Sequence, residues 1–229
     1  MKKKFKLPGV TLLAVTSTEV DEAQISMRIS LHNIQFAKSR LLCSSPPKIK
    51  YPDIEYVPIE PLKSVDMYNQ LIFQDLHKYF ETSYCLVVQA DSFVVNVDLW
   101  KQDFLEFDYI GAPWPDKVMI IPSNRFLHLD NNRVGNGGFS LRSRKLAEVT
   151  SKINFNSLKF PIKSEDLIIC HYLYREMIKN GIRFAPAKLA AQFSIESPGN
   201  LYGQDVDSVF GFHGKHLMSH FLKKYDQTL

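Results

Sequence analysis

Apolar residues in the first half of the chain gather into short runs separated by polar breaks. Val10 to Ser17 is β-rich and closes on hydroxyl residues and Glu19, which predicts a first strand. From Asp21 to Gln35, Ala23, Met27, Leu31 and Ile34 recur at helical spacing, and Ile25 and Ile29 widen the apolar arc. A helix that apolar is expected to lie against a sheet. Ser39 to Ser44 predicts a second strand ended by Pro46-Pro47. Glu55 to Ile59 predicts a third, with Pro58 marking an edge or a strand end. Ser64 is placed to cap a helix from about Val65 to Phe80, where Met67, Leu71 and Tyr68, Ile72, Leu76, Tyr79 share helical spacing. Tyr84 to Gln89 is an apolar run too short for a helix and without alternation, so it reads as a strand buried on both faces. Strand, helix, strand, strand, helix, strand is the order of a layered α/β fold around a parallel or mixed sheet.

The second half is less periodic. Trp100 to Tyr109 is aromatic and acidic, Ile110 to Pro115 predicts an extended, rigid turn, and Pro122 to Arg133 reads as loop. Val134 to Arg142 joins a glycine-rich loop to a short strand, and Ser143 to Ile153 reads as helix. Ser164 is placed to cap an amphipathic helix running through Lys179 and ended by Asn180-Gly181. Neither an internal repeat nor a linker stands out, so residues 1–229 read as a single domain with a nucleotide half (about 8–95), an acceptor half (about 96–220) and a basic tail.

Composition changes this picture little. The 229 residues are 45% hydrophobic and 23% charged, an ordinary globular balance with room for a substantial core. The net charge of +4 has local sources in Lys2, Lys3, Lys4 and Lys6 and in Lys215, Lys223 and Lys224 beside His213, His216 and His220. Such clusters attract phosphate, nucleic acid or an anionic membrane surface, or are simply solvated ends. No apolar stretch approaches the roughly 20 residues that span a bilayer, and Pro8 and Gly9 break the run after the first lysines, against a signal peptide. Cys43, Cys85 and Cys170 are odd in number and sit in apolar surroundings, which fits free thiols in a cytoplasm.

Four places carry candidate chemistry. Gln89-Ala90-Asp91-Ser92 interrupts an apolar run, so Asp91 either caps a turn or meets a cation or ligand at the carboxyl edge of the sheet. Gly135-Asn136-Gly137-Gly138 is a tight turn or a cradle for an anion or a sugar; Ser140 in the last glycine place and the late position separate it from a dinucleotide fingerprint. Glu165-Asp166 opens a helix, where acids are stabilised by the dipole, or presents a general base to a cleft. His213, His216 and His220 are spaced as on one helical face, but Gly211 and Gly214 favour His213 acting separately in a loop. Trp114 and Tyr68 pack in the core or stack on a ligand, Trp114 being the better stacking candidate because Pro113 and Pro115 hold it stiffly.

The order of Gln89-Ala90-Asp91, Gly135-Asn136-Gly137-Gly138, Ser164-Glu165-Asp166 and His213 resembles the common core of GT-A-fold glycosyltransferases, which use nucleotide-sugar donors. The closer resemblance is to small bacterial proteins of this kind grouped as a domain of unknown function, with similar Gln-x-Asp-Ser, Gly-Asn-Gly-Gly-Phe-Ser-Leu-Arg and Phe-Gly-Phe-His-Gly segments. It spans Val10 to His216. It implies a GT-A-like, Rossmann-like mixed and mostly parallel sheet flanked by helices. Asp91 matches the last acid of the Asp-x-Asp motif and, with His213, would hold Mn²⁺ or Mg²⁺ on the donor diphosphate. Gln89 departs from the motif's first acid. Thr16 and Ser17 match base and ribose contacts. Ala90, Ser92, Asn136, Gly137, Gly138 and Trp114 would border the donor, and Asp166, with Glu165 beside it, matches the base of inverting members. The resemblance implies a nucleotide-sugar donor, a glycan or lipid-linked acceptor, no nucleic acid, and a cytoplasmic protein able to meet the inner membrane face. A nucleotidyltransferase and a non-catalytic nucleotide- or glycan-binding relic of the fold are the alternatives.

Overall fold

The computed structural model describes residues 4–120, 125–129, 132–196 and 201–223. Lys2, Lys3, Lys224, the rest of the basic tail and parts of the 122–133 loop reading lie outside them. The strands are β1 (Phe5–Thr16), β2 (Ile34–Cys43), β3 (Glu55–Pro58), β4 (Tyr84–Val88), β5 (Ser92–Val94), β6 (Tyr109–Ile110), β7 (Lys117–Ile120), β8 (Arg125–His128), β9 (Phe139–Ser143), β10 (Ser194–Ile195) and β11 (Gly211–His213). The helices are α1 (Val20–Asn33), α2 (Val65–Gln70), α3 (Arg144–Thr150), α4 (Glu165–Leu167), α5 (Tyr174–Lys179), α6 (Ala187–Phe193) and α7 (Lys215–Leu222).

A mixed sheet in the order β3-β2-β1-β4-β9-β6 forms the centre. Its first four strands are parallel, and β9 enters antiparallel between β4 and β6. The apolar runs of β1 and β4 show little alternation because both faces are covered. Leu12, Ala14, Leu86 and Val88 enter one core, while Leu13, Val15, Cys85 and Val87 enter the other. β3 is an edge strand, where Pro58 costs no ladder bond on its open side. A smaller sheet, β10-β11-β5, has a third apolar cluster around Phe93 and Phe212.

Several boundaries differ from the sequence reading. The helix read through Gln35 stops at Asn33, and β2 begins at once, because Ile34 and Phe36 pair with β1. In α1, Ser26 and Ser30 are buried while Ile25 turns outward. The two serines have partners: Ser26 Oγ donates to the Ala90 carbonyl at 2.9 Å, and Ser30 Oγ accepts from Val94 N. Ser64 caps α2 through a bond from Met67 N, after which the chain widens into a π-helical stretch, Leu71–Asp75, and ends in a 3-10 turn at Lys78. The helix read from Ser164 through Lys179 is broken. Its first part is α4 and a π-helical stretch, Ile168–Tyr172, and α5 starts after Leu173 leaves helical geometry. Residues 125–128, read as loop, pair with β7. His213 ends strand β11 rather than lying in a loop.

Among the described residues no helix is long and apolar enough to cross a membrane. The three cysteines are free and buried, and burial pushes the Cys85 thiol up to about 12.

Candidate functional site

Parallel strands bring their carboxyl ends to one edge, and the register places three loops there together. Ala14 of β1 pairs with Val88 of β4, and Val88 pairs with Phe139, the first residue of antiparallel β9. The segment after β1, the Gln89–Asp91 turn and the 135–138 loop therefore meet at this edge, the usual ligand side of an open α/β sheet. They surround a cleft of about 570 Å³, within the size range of small-molecule sites. Thr16, Ser17, Gln89, Ala90, Asp91, Asn136, Gly137, Gly138, Glu165, Asp166 and His213 all line it.

Ser92 and Trp114 do not. Ser92 is fully buried, accepts from Gln89 N and donates to the Gly138 carbonyl at 2.7 Å, so it stitches the turn to the glycine loop. Trp114 packs beneath the loop; a Cβ on Gly135 would stand 2.0 Å from its ring. The ring is buried in the core rather than presented to the cleft.

The two hydroxyls after β1 are engaged with the backbone. Thr16 Oγ1 accepts from Thr18 N and Glu19 N, and Ser17 Oγ accepts from Leu62 N at 2.9 Å. They shape the cleft wall between β1 and the segment before α2.

On one wall, Gln89, Asp91 and His213 converge. His213 Nε2 lies 3.0 Å from Gln89 Oε1 and 3.4 Å from Asp91 Oδ1. The other ring nitrogen, Nδ1, meets Glu196 Oε1 at 3.1 Å and Asn136 Nδ2 at 2.9 Å. Glu196 arrives by register, since it follows Ile195, which pairs with Phe212, the neighbour of His213. Burial tends to lower the His213 pKa, but the bonds to Asp91 and Glu196 prevail and raise it to about 10. Burial pushes the Asp91 carboxyl up, and the His213 bond and charge outweigh it, holding Asp91 below its ordinary value. Gly138 is required here: a Cβ would stand 2.2 Å from the His213 ring.

On the wall beyond Gly137, Asp166 Oδ2 accepts from Gly137 N at 2.9 Å, and Oδ1 accepts from Leu167 N and the Ser164 hydroxyl. Ser164 thus serves the Asp166 carboxylate rather than capping the helix backbone. Glu165 is spent differently. It is buried, and both its oxygens take guanidinium bonds of 2.8 Å from Arg142, which also bonds Ser140 Oγ at 2.9 Å and reaches the Gly137 carbonyl at 3.4 Å. Burial leaves the Glu165 carboxyl above its ordinary value despite the guanidinium. With both oxygens engaged, Glu165 holds the glycine loop and is not available as a base.

Residues of α2 reach both walls. Tyr68 OH accepts from Gln89 Nε2 at 2.7 Å, and Asn69 Oδ1 accepts from Glu165 N at 3.3 Å. Glu196, Arg142 and Asn69 are missing from the motif reading, and Tyr68 enters the sequence reading only as a core or ligand-stacking aromatic. Of the first three, only Arg142 carries a signal: a cation inside the apolar run of β9 requires a buried acid.

The sheet order and the cleft at its carboxyl edge define an α/β protein with a GT-A-like fold. The fold is similar to that of the galactosyltransferase LgtC, solved in complex with donor and acceptor sugar analogues. The TM-score is 0.51 at 12% identity, over 90% of this chain and 87% of that one. An active-site mutant of LgtC matches with a TM-score of 0.50 at 12% identity over the same shares. A glycosyltransferase involved in glycosylation of the major capsid of PBCV-1 matches at 0.49 and 13% identity, over 93% of this chain and 98% of that one. The chain belongs to the DUF5672 family, described as a protein of unknown function, whose model matches residues 52–213. No curated protein matches it in sequence.

Proposed function

We propose that the chain transfers a sugar from a nucleoside diphosphate donor to a hydroxyl of a glycan or lipid-linked glycan, with a divalent cation and with inversion, at the cytoplasmic side of a membrane. Residues 8–95 would serve the donor and residues 96–220 the acceptor. The observation that carries this reading is the convergence of Gln89 Oε1, Asp91 Oδ1 and His213 Nε2 in the cleft that Asp166 also lines.

The residues fit a cation. Two oxygens stand 3.0 and 3.4 Å from Nε2, near the roughly 3 Å between adjacent ligands of an octahedron with about 2.1 Å bonds. Among the described residues no three His, Cys, Asp or Glu side chains converge as a metal site, so an amide serves as the third donor. A neutral ligand weakens affinity for the bare ion and makes the diphosphate part of the site. Glu196 at Nδ1 would fix the ring for a metal at Nε2. Charge argues the same way: Asp91, Asp166 and Glu196 line the cleft against Lys63 and His213, with Glu165 already paired to Arg142 and Glu19 to Lys215. A diphosphate entering alone would be repelled. When bound, Mn²⁺ or Mg²⁺ would neutralise the diphosphate and stabilise it as a leaving group.

Asp166 is positioned as the base. Among the described residues its Oδ2 accepts only the Gly137 amide, which leaves a lone pair for an acceptor hydroxyl. The acceptor oxygen would lose its proton to Asp166 as it attacks the anomeric carbon and the diphosphate departs.

The test is thermal unfolding with a panel of nucleoside diphosphates and their sugars, in Mn²⁺ and in chelator. One base should raise stability only with metal, by roughly 2.7 kcal/mol at 100 times its Kd. Asp91→Ala should abolish the shift. Asp166→Asn should keep it and slow transfer by about 10²-fold or more. No shift with any member of the panel would refute the reading.

A further inference from the structure

The replacement of an acid by Gln89 has a directional consequence at Tyr68. A carboxylate only accepts hydrogen bonds, whereas an amide has one accepting end and one donating end. Gln89 Oε1 faces His213 Nε2 at 3.0 Å, the orientation that a cation in the same place would also require. Its Nε2 is then committed to Tyr68, where it donates to the hydroxyl oxygen at 2.7 Å. The Tyr68 hydroxyl proton is thereby left to donate elsewhere, and among the described residues no acceptor takes it. Tyr68 lines the cleft with Gln89, Asp91 and Asp166. Its ring is anchored in the apolar cluster beside Leu71, Ile72 and Leu76, and α2 carries a Ser64 cap, so the hydroxyl is rigidly placed.

We infer that Tyr68 is a donor-binding residue: Gln89 occupies its acceptor side and so directs its proton to an oxygen of the nucleoside diphosphate sugar, on the diphosphate or on a sugar hydroxyl. This rests on the donor reading above and adds a contact that core packing would not supply. An acid at position 89 would take the same proton and silence the contact. Gln89 therefore exchanges one unit of charge at the cation for a hydrogen-bond donor aimed at the substrate.

The test is calorimetric binding in Mn²⁺, using UDP, GDP, ADP, CDP and dTDP and the glucose derivative of each, with wild type, Tyr68→Phe, Gln89→Glu and the double variant. Tyr68→Phe should weaken the wild-type ligand about tenfold, the range for a hydrogen bond to a polar or charged oxygen. Equal loss for the diphosphate and its sugar assigns the contact to phosphate; loss confined to the sugar nucleotide assigns it to a sugar hydroxyl. Affinity for Mn²⁺ alone should stay within threefold, which a merely structural role, acting by loosening Gln89, would not allow. In the Gln89→Glu background, Tyr68→Phe should change affinity less than twofold. Wild-type binding that Tyr68→Phe leaves within twofold overturns the inference alone, as does an undiminished effect in the Gln89→Glu background. Failure of wild type to bind any of the ten ligands overturns the donor reading and this inference with it.

Discussion

Asp91 and Asp166 line the same cleft but are held by different kinds of contact. Asp166, in α4, takes its bonds from two backbone amides and a neighbouring hydroxyl, one of the amides lying on the glycine loop that the buried Arg142–Glu165 pair holds. Asp91 leans on His213, a titratable ring that also meets Glu196, Gln89 and Asn136. The first wall is fixed by groups that do not change charge in the ordinary pH range. The second is set by a titratable ring. Under the function proposed above, Asp166 as a base would benefit from fixed placement, whereas a cation at His213 would require that wall to exist in loaded and unloaded forms.

The comparison can be broken most forcefully from the buried pair. Glu165→Ala leaves a guanidinium with 1% side-chain exposure uncompensated. Urea unfolding should show a loss of roughly 3–5 kcal/mol, the cost of removing one partner from such a pair. A loss below 1 kcal/mol would mean that the first wall is not held from beneath.

The second wall should respond to pH. The folded-state pKa of His213 stands near 10, raised from 6.5, so its proton stabilises fully below about pH 6.5 and that contribution is lost as pH rises through 10. In chelator, wild type should lose on the order of 2–4 kcal/mol between pH 7 and 10 relative to His213→Ala, at about 1.4 kcal/mol per unit. Parallel pH profiles for the two proteins would contradict the protonated ring.

The smallest effect is steric. Gly138→Ala puts a methyl 2.2 Å from the His213 ring and must displace it. Metal-dependent donor binding should weaken about tenfold, near 1.4 kcal/mol, with Asp166 still bonded to Gly137 N. Unchanged binding would show that the ring has slack.

The two halves were unequally legible in the sequence. Strands β1 and β4 stood out because burial on both faces leaves an uninterrupted apolar run, and α1 because its stripe recurs at helical spacing. Pitch changes in the segment after α2 and in the segment from Ser164 did not show, since π-helical and α-helical stretches share nearly the same apolar spacing. The motif positions Gln89, Asp91, Gly137, Gly138, Asp166 and His213 all reach the cleft. Ser92 and Trp114 lay beside it in sequence but under it in space, because hydrogen bonding and ring packing took them inward. Glu196 had no local signal: it meets His213 only because two short strands run in parallel register.

Adjacent residues of α2 hold two sides of the cleft, Tyr68 at Gln89 and Asn69 at Glu165. They occupy one turn of helix, so α2 acts as a crossbar between the walls. A shift or rotation of that turn moves both walls together, and neither can be retuned alone through α2. Variation there would move Gln89 and the Glu165–Asp166 turn at once, whereas variation in β11 or in the Ser164 hydroxyl would adjust one side at a time.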